Sequence, residues 1–324
     1  MKKYTGFLVF LVATFLASFS NIALAQTWPN KPIKIVVPFA AGGPADSLAR
    51  FLANKMATDI GQTIVIENRA GAGGTLGASE VIKSNDDHTF LFSSTGALSI
   101  VPSLMTNLSY NPERDLAAVG QAVITPSVIV VSAKSQFNTL ADLVKFSKAN
   151  PAKLNFASAG SGTSTHLGAE LLKKEAGIFM THIPYRGAAP AITDLIGGTV
   201  DLMVADVPAV VSFIKGGQLR ALAVAAPNRA SALSDVPTTA EANLKGVISG
   251  TWYGLMAPAK TSPDVITKMN ASLNKALQNP DTTVFFRSQG VQSVGGSAEE
   301  FGSFIKSESN KWGSLAKAIG AKLD

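Results

Sequence analysis

The chain has 324 residues, no cysteine and a formal charge of +6. Disulfides, thiolate catalysis and Cys-based metal sites are therefore excluded. No run of Lys and Arg is interleaved with aromatics, so nucleic acid is not an expected partner. The modest positive balance suits the attraction of anionic solutes, and equally the ordinary surface charge of an exported protein.

In chain order, Lys2 and Lys3 precede an apolar run from Phe7 to Phe19, and Ala23 to Ala25 form a small-residue cleavage site before Gln26. This reads as a secretory signal peptide removed at Ala25/Gln26, because the run is too short for a spanning helix. Two lysines leave with it and no acid, which takes the charge from +6 to +4. A twin-lysine start and the absence of Cys exclude a twin-arginine signal and a lipid anchor. The expectation is a soluble exported protein whose length suits one large domain or two.

Ile33 to Pro38 reads as a short strand, and Leu48, Phe51, Leu52, Met56 and Ile60 as the apolar face of a helix. Between them Ala40, Ala41, Gly42 and Gly43 carry almost no side chain, and Asp46 or Ser47 can cap the helix. A strand ending in glycines at a helix start leaves backbone N–H groups pointing at one spot, which suits an anion. Ile64–Glu67 is a second strand. The glycines at 71, 73 and 74 lead into a helix near Leu76–Ile82, but they lack dinucleotide-fingerprint spacing and read as a close-packed turn. Thr89–Ser93 is a third strand, ending in the hydroxyls Ser94 and Thr95, where strand ends meet ligands in open α/β sheets.

Ala117–Val123 and Ser127–Ser132 read as strands, and Leu140, Leu143 and Val144 mark a helix that stops at Asn150. The strand–turn–helix device then recurs: Leu154–Ala157 is a strand, Ser158 to Thr163 a small hydroxylated turn, and Ser164 onward a helix. Strands at Met180–Ile183, Leu202–Ala205, Leu219–Ala225 and Gly250–Ala257 follow, with helices at about Ala188–Ile196, at Val265, Met269 and Leu273, and along Phe301, Phe304, Ile305, Glu308, Trp312 and Ile319. Alternating strands and helices give an α/β class. Two anion cradles about a hundred residues apart imply two lobes facing one ligand. With crossings near Gly120 and Ala221, one lobe spans residues 26–120 plus 226–324 and the other 121–225.

The stretches "WPNKPIKIVVPFAAGGPADSLAR", "IVIENRAGAGGTLGA", "LNFASAGSGTSTHLGAELL", "IPYRGAAPAITDLIGGTVDLM", "LRALAVAAPNRASALSDVPT" and "WYGLMAPAKTS" occur in this order. Together they resemble the Bug proteins, the periplasmic solute-binding components of tripartite tricarboxylate transporters. The resemblance implies a two-lobed Venus-flytrap fold, each lobe a mixed sheet flanked by helices, with the ligand in the interlobe cleft. It implies an organic-acid ligand, an inner-membrane permease as partner and a monomer without catalysis. It also implies that a ligand carboxylate is gripped between the first loop, Phe39, Ala40, Ala41, Gly42 and Gly43 with Asp46, and the second, Ser158, Gly160, Ser161 and Thr163 with Thr165 and His166. Ser94 and Thr95 fall at a further loop, and Asp206 at another.

Each of these residues has a structural reading beside the functional one. The glycines can serve a tight turn, and some of Ser158, Ser161, Thr163, Ser164 and Thr165 must simply cap the helix. Arg186 fits a bidentate carboxylate clamp or an ion pair. Asp206 fits a ligand amine or hydrogen bonds from neighbouring loops. Phe39, Trp252 and Tyr253 can wall the cleft, Phe39 best because it lies inside the cradle. His166 with Ser158 or Ser164 and Asp206 would make a hydrolase, yet no G-x-S-x-G elbow is present. His88, His166 and His182 show no metal-ligand spacing, so neither metal nor cofactor is expected. The reading is a periplasmic binder of a small mono- or dicarboxylate, with a ligand-presenting sensor subunit as the alternative.

Overall fold

The computed structural model describes residues 28–84, 86–105 and 107–318. The stretch read as a signal peptide, and Ile319, lie outside the described residues. β1 (Ile33–Val37) leads to α1 (Pro44–Ile60), and β2 (Ile64–Asn68) leads through a 3-10 turn at Ala72–Gly74 to α2 (Thr75–Lys83). β3 (Thr89–Ser94) leads into a π turn at Gly96–Ile100 and the short α3 (Val101–Leu104). β1 lies between β2 and β3, parallel to both. A parallel strand covered on both faces needs a continuous apolar run, and Ile35, Val36, Val37, Phe90, Leu91 and Phe92 supply one in β1 and β3.

After α4 (Pro112–Asp115) comes β4 (Leu116–Ser132), one strand of 17 residues where the sequence reads as two. Pro126 brings no N–H to a ladder, which is the signal for a break. The strand instead changes partners there. From Leu116 to Pro126 it pairs with β9 (Gly250–Pro258), and beyond it with β7 (Leu202–Asp206) and β8 (Leu219–Val224).

The second half runs α5 (Leu140–Ala149), β5 (Asn155–Ser158), α6 (Ser164–Ala176), β6 (Thr181–Pro184), α7 (Ala188–Gly197), β7, α8 (Val207–Lys215) and β8. Strand alternation divides its core cleanly. Val128, Val130, Met203 and Ala205 pack on one side of the sheet, and Ile129, Val131, Leu202 and Val204 on the other. The chain after β8 stays with this half, since Ala230 and Leu233 join the first core and Val247 the second. It returns at Ser249, where Ser127 N–H donates to Ser249 O (3.0 Å), Ser249 N–H to Ala225 O (2.9 Å), and Ala225 N–H to Ser127 O (2.8 Å).

β9 then enters the first sheet between β3 and β4, antiparallel to both. α9 (Pro263–Gln278), α10 (Pro280–Gln289), β10 (Gln292–Ser293) and α11 (Ala298–Ala318) complete this half. The side chains of Phe301 and Ile305 on α11 pack with Trp252, Leu91 and Leu98. Helices α8 and α10 have no counterpart in the sequence reading. Each has a proline in its first two positions and follows another element closely, so no polar linker announces it. The architecture is an α/β fold of two lobes, strung on β4.

Candidate functional site

Both glycine-rich turns end at the seam between the lobes. In the first, Gly43 is the N-cap of α1 and Pro44 holds its first position. Proline has no N–H, so the unclaimed amides at this helix start belong to Gly43, Ala45 and Asp46. Asp46 sits inside the helix rather than capping it from before, and it braces the turn. Its carboxylate accepts from Gly42 N–H (3.0 Å), Arg50 (2.9 Å) and Asn68 (3.0 Å), and Asn68 also donates to Phe39 O (3.1 Å). Burial alone would raise the Asp46 pKa, but Arg50, the Gly42 amide and Asn68 hold it below the usual value. The Gly42 amide is thus spent within the turn, and Ala41 and Gly42 are exposed on its outer side.

The second turn consumes still more of its own donors. Ala159 N–H goes to Thr165 Oγ1 (2.9 Å), Gly160 N–H to Ser158 Oγ (3.1 Å), Gly162 N–H to His166 Nδ1 (3.3 Å) and Thr163 N–H to Gly160 O (3.2 Å). Behind the turn, Ser158 Oγ lies 2.6 Å from His182 Nε2, and the rings of His166 and His182 stack with centroids 4.0 Å apart. What remains to face an anion is the Ser161 amide and, at the first turn of α6, the amides of Ser164 and Thr165.

The two helix starts face each other across a narrow cavity of about 30 Å³. Its walls are Phe39, Ala40, Gly43 and Ala45 on one side, Ala159, Thr163, Ser164 and Thr165 on the other, with Ser94, Asp206, Thr251 and Tyr253 completing it. That is room for a carboxylate-sized group or about one water. A wider vestibule of about 460 Å³ shares Phe39 and Ala159 with it and is walled by Gly71 to Gly74, Gly160, Ser161 and Arg186. Arg186 is exposed and makes no ion pair among the described residues, so the inter-lobe pair considered for it does not form.

Counting hydroxyl protons identifies the free donor. Thr163 donates its one proton to Gly160 O (2.6 Å), so Thr165 must be the donor in the 2.9 Å contact between the two threonines. Thr251 donates to Asp206 Oδ1 (2.6 Å), so Ser164 must be the donor to Thr251 (2.5 Å). Tyr253 donates to Asp206 Oδ2 (2.6 Å). Ser94 Oγ alone among these cavity-lining hydroxyls has no protein partner among the described residues.

Of the residues expected at the site, Phe39, Ala40, Gly43, Ser94, Thr163, Thr165 and Asp206 line the inner cavity, and Gly160, Ser161 and Arg186 line the vestibule. Ala41, Gly42, Asp46, Thr95, Ser158 and His166 stand outside both walls. Thr95 is buried and its Oγ1 accepts from Trp252 N–H (3.1 Å). Thr251 escaped the sequence reading, although strand alternation puts it on the same face of β9 as Tyr253. Trp252, on the opposite face, is core.

The profile described as tripartite tricarboxylate transporter family receptor matches residues 48–321. The chain belongs to this receptor family. It is 36% identical to Protein BugT of Bordetella pertussis over 92% of each chain. Its fold superposes on the periplasmic binding protein BugD with a TM-score of 0.88 and 34% identity, over 91% of this chain and 99% of that one. An R. palustris protein solved with adipate gives a TM-score of 0.88 at 32% identity, over 91% and 100% of the two chains.

This receptor family consists of solute-binding proteins, and the hydrolase arrangement fails in detail in this member. Asp206 is committed to two hydroxyls rather than to a histidine, His166 accepts a backbone amide, and Ser164 is bound to Thr251. Burial pushes the Asp206 pKa up to about 6, against the two hydroxyl donors that favour its charge. Burial also lowers His166, and it pushes His182 down to about 3 with His166 and Lys173 adding to the effect. Among the described residues no helix is long and apolar enough to cross a membrane.

Proposed function

We propose that this receptor-family chain captures a small organic mono- or dicarboxylate in the periplasm and presents it, without chemistry, to an inner-membrane permease of a tripartite tricarboxylate-type transporter. The observation that carries this reading is the opposition of two helix N-termini, α1 and α6, across one small cavity. Each start offers unclaimed amides and the positive end of a helix dipole, worth about 0.3–1 kcal/mol toward a negative charge at an exposed site and more when buried. In this reading the carboxylate takes the amides of Gly43, Ala45, Ser164 and Thr165 and the Ser94 hydroxyl. Asp46, Ser158, Thr95 and His166 brace those donors from behind.

The inner cavity admits a head group and little else, so the body of the ligand extends past Phe39 and Ala159 toward Arg186. The adipate in the R. palustris structure supports a dicarboxylate of this length. The lobes of this reading are the described residues 31–126 with 249–318, and 127–248. The return crossing moves from the Ala225 region to Ser249, because residues 230–247 pack on the second lobe. The receptor acts as a monomer after cleavage at Ala25/Gln26.

A thermal-shift panel of mono-, di- and tricarboxylates, acidic amino acids and neutral analogues tests it. A ligand bound only by the folded state raises stability by about 2.7 kcal/mol at a hundredfold excess over Kd. A shift confined to one class of acid supports the reading. A panel in which only neutral solutes stabilise the protein refutes it.

A further inference from the structure

On both rims of the cleft the two lobes approach at glycines, beside a side-chain contact in which Leu167 of α6 packs with Ile100, Leu104 and Trp312. On one rim Gly73 of the β2–α2 turn faces the β5–α6 turn so closely that a Cβ would lie 2.6 Å from Ser161 O. Beside it, a Cβ on Gly96 would lie 3.2 Å from Gly162 O and 3.3 Å from Thr163 Cα. On the other rim Gly187, before α7, faces Ala40, where a Cβ would lie 3.1 Å from the Ala40 Cβ and 3.3 Å from its amide. The partners at each rim come from opposite lobes. A carbonyl oxygen in a turn cannot give way as the end of a flexible side chain can, so any side chain at 73 keeps the lobes apart.

The conformation of Gly73 does not by itself demand this. Its φ of +64° is left-handed, but so is that of Gly61 at +75°, where a Cβ would meet nothing within 4 Å. Ala72, its neighbour, carries a side chain at φ 47°. Backbone shape therefore tolerates a methyl at such a position, and proximity to the other lobe is what excludes one at 73. Neither Gly73 nor Gly187 lines the inner cavity, although Gly73 stands on the vestibule wall.

We propose that Gly73 and Gly187 are the closure stops of the receptor: bare backbone on opposite rims that lets the lobes approach until the two helix N-termini share one ligand. A side chain at either position acts as a wedge. It leaves the head-group donors in place and removes the closed state, so apparent affinity falls by the loss of the competent population. This rests on the receptor reading, yet the two fail separately, since the acid panel on the unaltered protein tests the receptor reading without reference to either glycine.

The absence of cysteine permits a direct distance measurement. Asn54→Cys on α1 and Thr193→Cys on α7, both exposed and on different lobes, carry a nitroxide pair. Pulsed dipolar distances are recorded with no addition and with adipate or any acid active in the panel. The parent pair is expected to show a short-distance component that the acid enlarges. Gly73→Val and Gly187→Val should each lack it, with affinity down roughly tenfold or more and melting lowered by the strain of a side chain at φ +64° and +135°. Gly61→Ala, which adds a side chain at a left-handed position in open space, should keep it. If Gly73→Val melts early, Gly73→Ala places only the Cβ that meets Ser161 and still has to lack the component. A short component retained by the position-73 and position-187 variants overturns the proposal. So does a parent protein that never shows one.

Discussion

Asp206, at the end of β7, takes one hydrogen bond from Tyr253 and another from Thr251, each 2.6 Å long. Both donors lie on β9, so one buried carboxylate ties the second lobe to the first at the floor of the cleft. No cation is paired with it among the described residues. Its pKa of about 6, against an ordinary 3.8, means the folded protein holds a proton between those pH values that the unfolded chain has lost. The stabilisation from this group is fullest below 3.8 and disappears as pH rises through 6.

Melting curves of the parent and Asp206→Asn proteins between pH 4 and 7 should therefore diverge. The parent loses stability relative to the variant as pH rises, by a total on the order of 3 kcal/mol. Tyr253→Phe should cost about 1.5–3 kcal/mol at pH 7, where the bond is to a charge, and less at pH 4. Parallel profiles for all three proteins would contradict the assignment.

His182 should act in the opposite sense. Its pKa is about 3 in the fold and near 6.5 otherwise, so as pH falls from 6.5 the unfolded chain takes up the proton first. The parent should lose stability over that window relative to His182→Gln, which cannot titrate. In the folded protein the ring stays neutral over that range, so the second turn it braces through Ser158, and with it ligand affinity, should hold while stability falls. Melts of parent and variant at pH 7 and pH 5 measure this; the same stability difference at both pH values would contradict the lowered His182 pKa.

Two hydroxyls on the cavity wall should separate binding from stability. Ser94 donates to nothing among the described residues, so Ser94→Ala should weaken carboxylate binding by about 1 kcal/mol or more and leave the ligand-free melt near that of the parent. Thr165 instead accepts the Ala159 amide. Thr165→Val leaves that buried amide unpaired and should cost about 1–3 kcal/mol of stability in addition to affinity. Titration calorimetry and denaturant melts on the two variants distinguish the roles.

Arg186 stands over the vestibule, away from the head-group cavity. Arg186→Ala should reduce affinity for a dicarboxylate more than for the monocarboxylate of equal length, and should flatten the salt dependence of dicarboxylate binding. Equal losses for both acids would place Arg186 outside recognition.

Much of this was legible in the sequence because the informative residues act locally. Gly42 and Gly43 before Leu48 and Leu52, and Ser158 to Thr163 before Leu167 and Leu172, mark strand, turn and helix by short-range rules alone. The tertiary assignments were harder. Pro126 signals a strand end by the local rule, yet β4 passes through it because two different sheets meet there. Gly42 looks like a ligand donor until Asp46 is seen to hold its amide. Thr251 lies far along the chain from Ser164 and Asp206, and only the folded lobes bring the three hydrogen-bonding groups together. Gly73 reads as a tight turn, because its neighbour Ser161 belongs to the other lobe.

The most direct test of the carboxylate cradle is a crystal structure of the protein with the most stabilising acid from the panel. The account predicts a carboxylate in the inner cavity, within hydrogen-bond distance, directly or through one water, of amides from both the Gly43–Asp46 and the Ser164–Thr165 helix starts, with Ser94 as a further donor. An acid held only in the vestibule against Arg186, with neither helix start engaged, would contradict it.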